Sequence, residues 1–113
     1  MLDNVAIDRW GRILMDEDPG IATGVAKIWL YVIATGQLVQ VAARNPRFFD
    51  PTLPNNPDFI TDVAEASGII DASQVLERGW FLLDVQAHAI SRDADLVEGG
   101  QLLALFVDPR IGG

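Results

Sequence analysis

The chain contains no cysteine, which excludes disulfides, thiolate catalysis and cysteine-ligated zinc, and is compatible with either redox compartment. Basic residues are scarce: eight Lys and Arg stand against sixteen Asp and Glu, for a formal net charge of −8. A surface of that sign repels phosphate backbones and anionic lipid, so nucleic acid and membrane surfaces are excluded as partners. No apolar run reaches the ~18 residues of a spanning helix. Met1-Leu2-Asp3-Asn4 lacks the basic and apolar regions of a signal peptide, so a soluble chain without an export signal is expected. There is one histidine, His88, so any histidine-dependent chemistry must use it. Ser67 and Ser73 sit in no nucleophile-elbow context.

What is present reads as strands. The 113 residues suit one domain, and half of them are apolar. Asn4–Asp8 alternates, Gly11 marks a tight turn, and Arg12–Glu17 returns. Asp18-Pro19-Gly20 is a turn signal, and Ala26–Ile33 has the branched and aromatic composition of a buried strand. Ala34-Thr35-Gly36 predicts a hairpin turn, and Gln37–Ala43 follows as an outer strand. The proline-rich stretch 44–58 is read as a loop. Ser67–Ile70, a capped turn over Asp71–Leu76, Trp80–Gln86 and Gln101–Val107 complete the second half.

Four strands and then three, joined by short connections, predict an all-β domain of antiparallel up-and-down sheets. A four-stranded sheet of about 40–45 residues matches one propeller blade. The pattern therefore predicts a partial β-propeller, with a blade-like unit at 3–43 and a second, incomplete blade at 59–108. A small sandwich or half-barrel of the same seven strands is the alternative, since strand spacing is the same in both. Open sheet edges invite pairing with another chain, so a homo-oligomer joined through exposed edges, completing the ring, is expected.

Three elements carry a family resemblance. The run from Asp3-Asn4 through Asp8-Arg9-Trp10-Gly11-Arg12 to Asp16-Glu17-Asp18 resembles the blade opening of PhoX-type alkaline phosphatases. Glu65-Ala66-Ser67-Gly68 resembles the element that starts their next blade, and Phe81–His88 resembles a strand ending in their Gln-His-Pro-Gly motif. Val97–Leu103 is similar to bacterial phytase-like esterase propellers. Leu2 stands where that family has proline, and Gln86-Ala87-His88-Ala89 displaces the histidine by one position.

The resemblance implies a calcium-dependent phosphoester hydrolase, weak or inactive as a monomer, whose full-length relatives are secreted or periplasmic. Hard cations take oxygen ligands and stabilise charge on a transferring phosphoryl group. On that reading Glu65, Glu17, Asp18 and Asp3 are the metal-ligand candidates, Asn4 and Gln86 the substrate-binding candidates for a small phosphoester, and His88 the catalytic candidate. The other function carried forward is a non-catalytic, self-assembling β binding module.

Overall fold

The computed structural model describes residues 2–17, 26–43, 57, 64–87 and 99–112. Its strands are β1 (Leu2–Ile7), β2 (Arg12–Glu17), β3 (Lys27–Val32), β4 (Gln37–Ala43), β5 (Ala64–Asp71), β6 (Trp80–Ala87) and β7 (Gly99–Phe106). All pairings are antiparallel and sequential, giving a four-stranded sheet β1-β2-β3-β4 and a three-stranded sheet β5-β6-β7.

Turn chemistry sets these registers. Gly11 and Gly36 have φ of 80° and 72°, a region that costs an L side chain, and each closes a hairpin predicted from sequence. After β5, Asp71 caps the connecting turn: its Oδ1 accepts from the Ser73 amide at 2.9 Å and its Oδ2 from the Ser73 hydroxyl at 3.1 Å.

Period-two alternation then sorts the side chains. In β2 the inward positions are Arg12, Leu14 and Asp16, and in β3 they are Ile28, Leu30 and Val32. From the second sheet, Ile69, Phe81 and Leu83 meet them, joined by Val107 just past β7. Both sheets thus contribute to one core, and they approach most closely where β1 lies beside β5. Truncating a residue such as Leu30, which is completely buried, removes about 2–5 kcal/mol of stability.

One polar cluster is buried in this core. Asp8 and Arg12 are 4% and 1% exposed. The Arg12 Nε donates to Asp8 Oδ2 at 2.8 Å, while Asp8 Oδ1 accepts from the amides of Trp10 and Arg12 at 2.9 and 3.0 Å. The far side of the guanidinium reaches the other end of the chain: Nη1 donates to the carbonyls of Asp108 (2.8 Å) and Ile111 (3.4 Å), and Nη2 to that of Val107 (3.4 Å). A second tie runs through Gly79, whose carbonyl accepts from the Val107 amide at 2.8 Å. Outside the core, Trp10 stacks beneath the Arg78 guanidinium at 4.5 Å, joining the β1–β2 turn to the turn before β6.

One correction to the expected architecture follows. The strand count and order agree with the pattern, but the sheets are not propeller blades: both are open, neither is closed or strongly curled, and they face each other across one shared core. Blade length and strand number are properties that any meander of short strands satisfies, which is why the pattern pointed to a propeller. The loop expected at 44–58 falls, apart from Pro57, outside the described residues.

Arg12→Met leaves the Asp8 carboxylate buried without its counter-charge. The expected cost is about 3–5 kcal/mol in chemical denaturation, with the amides of 107–111 losing hydrogen-exchange protection first. Gly79→Ala places a Cβ 2.8 Å from both Phe106 Cε2 and the Val107 carbonyl at φ of 100°, so unfolding should shift by about 1–3 kcal/mol, whereas Gly11→Ala, which meets no atom within 4 Å, should cost only its backbone strain.

Candidate functional site

Of the residues singled out for metal chemistry, Glu17 is the one whose side chain is described. Glu17 closes the far end of β2 and is occupied with structure: Oε2 accepts from the Lys27 amide at 3.0 Å and Oε1 from the Trp29 indole at 3.4 Å. Those bonds tie β3 to β2 at its first residues. Asp3 lies in β1, and Glu65 sits opposite Gln86 in the β5–β6 register, their side chains being outside the described set. Asp18 and His88 also lie outside the described residues. Asn4 is half-buried on β1 and engaged in a contact there. Among the described residues no group of three or more His, Asp or Glu could hold a metal ion. The expectation of a calcium-dependent phosphoester hydrolase is therefore corrected, and calcium rests on the family resemblance alone.

Charged residues that the sequence reading passed over are more informative. Asp8, Arg12 and Asp16 occupy buried positions, Asp16 at 2% exposure. The signal was available: Arg12, Leu14 and Asp16 share one face of an alternating strand, so charges on that face must be inside if Leu14 is. Asp16 lines a cavity of about 200 Å3 between the sheets, with Ile28 on one wall and Val85 and Leu105 on the other.

The outer faces of the two sheets are the other departure from a plain soluble β domain. Antiparallel sheets usually turn polar residues outward. Here the outer face of the three-stranded sheet carries Ile70, Leu82, Leu102 and Phe106, exposed by 60, 37, 91 and 50%. Trp80 packs on Phe106 with ring centroids 5.3 Å apart. A shallow groove of about 500 Å3 runs across this face, and Asp84 is the charged residue in its lining. Gly68, opposite Asp84 in the ladder, leaves that carboxylate room, since a Cβ there would stand 3.3 Å from Asp84 Oδ1.

The outer face of the four-stranded sheet is also apolar. The register sets Ile7 beside Ile13, Tyr31 and Leu38 in one row, and Val5 beside Met15, Trp29 and Gln40 in the next. Val5, Ile7 and Leu38 are 57, 61 and 56% exposed. The exposed Lys27 places its ammonium 5.9 Å from the centroid of the Trp29 ring, whose indole also binds the Glu17 carboxylate, so one end of this face carries both signs of charge.

Comparison with known proteins returns nothing. No family model, no curated protein and no solved structure matches this chain. The resemblance to phosphatase and esterase propellers is thereby overturned as a family assignment: its three short elements have no counterpart at the level of the whole chain. Within the first of them, Asp8-Arg9-Trp10-Gly11-Arg12 is accounted for locally, as a turn whose aspartate binds two amides and the arginine that follows. Among the described residues no helix is long and apolar enough to cross a membrane.

Among the described residues, the shifted acidities belong to the Asp108–Arg110 pair, each partner stabilising the other's charged form. Arg110 donates to Asp108 from its side chain, at 2.7 Å from Nη2, and from its amide at 2.9 Å, and holds the Asp108 carboxyl down from 3.8 to about 2. The folded form is the better acid, so the pair stabilises above pH 3.8 and that contribution disappears as pH falls through about 2. The Arg110 side chain is almost wholly exposed and Asp108 partly so, and solvent keeps the contribution small. Carbon-detected NMR titration should place the Asp108 midpoint near 2, and Arg110→Ala should return it toward 3.8.

Proposed function

We propose that this chain is a non-catalytic β binding module that associates with copies of itself. The observation that supports the reading is the pair of apolar outer faces. Exposed apolar surface gathered into contiguous patches, as opposed to scattered singly, marks an interaction surface. Ile7, Leu38, Ile70, Leu102 and Phe106 all stand at least half exposed on the two faces of a 113-residue chain. The net charge of −8 keeps such a molecule dispersed at low concentration by mutual repulsion, so ordered association needs the apolar contact to outweigh it.

Light scattering coupled to size exclusion tests this across a dilution series. The expected result is a discrete species heavier than the 12.3 kDa protomer that dissociates on dilution and is unchanged by a calcium chelator. A 12.3 kDa particle at every concentration would overturn self-association. Turnover of an aryl phosphate ester that calcium restores after chelation would overturn the non-catalytic reading.

A further inference from the structure

We propose that two copies pair along the open edge of β7, antiparallel and about a two-fold axis beside Leu103, so that their three-stranded sheets join into one continuous sheet. The proposal rests on the self-association reading above and names its surface and its symmetry.

Three observations point to this edge. The first is regularity. The edge strands of the two sheets are β1, β4, β5 and β7. A bulge or irregularity interrupts the ladder that ends in β1, the one that ends in β4 and the one that ends in β5, whereas β7 pairs with β6 without a break from Gly99 to Phe106. Bulges, charges and prolines are the devices that keep an edge from pairing with another chain. The stretch Gly99–Phe106, GGQLLALF, has no charge and no proline.

The second is the direction of the backbone. The Val107 amide donates to the Gly79 carbonyl at 2.8 Å, which continues the β6–β7 register past Phe106. Successive strand residues turn their polar groups to opposite edges. Val107, Leu105, Leu103 and Gln101 therefore turn theirs toward β6, and Phe106, Ala104, Leu102 and Gly100 turn theirs outward. Leu102 is 91% exposed and Ala104 is exposed, so this edge is open at its centre. A two-fold axis beside Leu103 sets Leu102 opposite the second copy's Ala104, and Gly100 opposite its Phe106. In that register the outward amides of one copy meet the outward carbonyls of the other.

The third observation selects a second copy as the occupant. On β6 the inward residues Phe81, Leu83 and Val85 are buried. Leu103 stands directly opposite Leu83 and so shares its inner face, yet it is 41% exposed against 8% for Leu83. The inner face is unfinished at the edge. On the two-fold axis Leu103 meets the second copy's Leu103 in a non-hydrogen-bonded pair, where opposed Cα atoms come within about 4.5 Å, and each leucine covers the other. Charge does not oppose the contact. Asp84 lies on β6, one strand back from the edge, so its two copies stand three strand spacings apart, about 14 Å, beyond the Debye length of about 8 Å at physiological salt. Pairing occupies the β7 edge of both copies, so association closes at the dimer, and a contact this narrow is reversible on dilution.

The test is light scattering of the full chain over a dilution series, with the wild type expected as a dimer of 12.3 kDa protomers. Ala104→Pro removes an outward amide that the β6–β7 ladder does not use, so it spares the fold and should abolish the dimer where the wild type is dimeric. Ile70→Asp alters the outer face on β5, at the opposite margin of the sheet, and should leave the dimer intact. The chain has no cysteine, so Leu103→Cys under mild oxidation should give a disulfide-linked dimer. Leu102→Cys, opposed to Ala104 and not to its own copy, should cross-link about tenfold more slowly. Circular dichroism verifies folding, and if Ala104→Pro does not fold the two cysteine variants decide. A dimer that survives in Ala104→Pro, a dimer lost in folded Ile70→Asp, or cross-linking no faster at 103 than at 102 would overturn edge pairing and leave self-association standing. A wild type that is monomeric throughout would remove both.

Discussion

The buried Asp8–Arg12 pair is the interaction on which the rest of this structure depends. It closes the first hairpin through the two amides bound by Asp8, and it fastens the end of the described chain to the beginning through the carbonyls of Val107, Asp108 and Ile111. A guanidinium suits this place because its planar array of donors reaches a carboxylate on one side and several carbonyls on the other. Enclosing a full charge is costly, and replacing the whole cluster with apolar residues could leave stability unchanged. What the cluster supplies is uniqueness of arrangement. Val107 belongs to the same core cluster as Leu14 and Phe81 while its carbonyl binds Arg12, and so the second sheet is positioned on the first.

With the termini fastened and one face of each sheet committed to the core, the opposite faces inherit an unusual composition. Strand β3 is apolar from Ile28 to Val32 and β7 from Leu102 to Phe106, as strands covered on both sides are. Among the described residues, the exposed Leu102 and Phe106 are the outward half of β7, a strand whose composition presupposes burial on both faces. That mismatch between composition and burial is the physical ground for reading the molecule as one unit of an assembly.

The contrast with the metal-site expectation is instructive. Carboxylates chosen by motif position were chosen one at a time, whereas a cation requires several oxygens at one point. Glu17 shows what becomes of such a candidate: both its oxygens are spent on the β2–β3 connection, binding the Lys27 amide and the Trp29 indole. The turn around Asp8 likewise resembles a family element because hairpins with an aspartate acceptor and a positive-φ glycine solve the same local problem wherever they occur.

The sequence by itself determined the local elements. Alternation placed all seven strands within a few residues of their observed bounds, and Gly11, Gly36 and Asp71 announced their turns, because hairpin geometry depends on the conformational limits of a few consecutive residues. Tertiary structure alone decided that the two sheets share one core, that Arg12 spans from Asp8 to Val107, and that Ile7, Leu38, Ile70 and Leu102 stand exposed on the outer faces among the described residues. Each of these depends on contacts between residues roughly a hundred positions apart or on which side of a strand faces the other sheet. A one-dimensional pattern with period two is symmetric in that choice: it separates the two faces of β3 or β7 without saying which will be enclosed and which will be left for a neighbour.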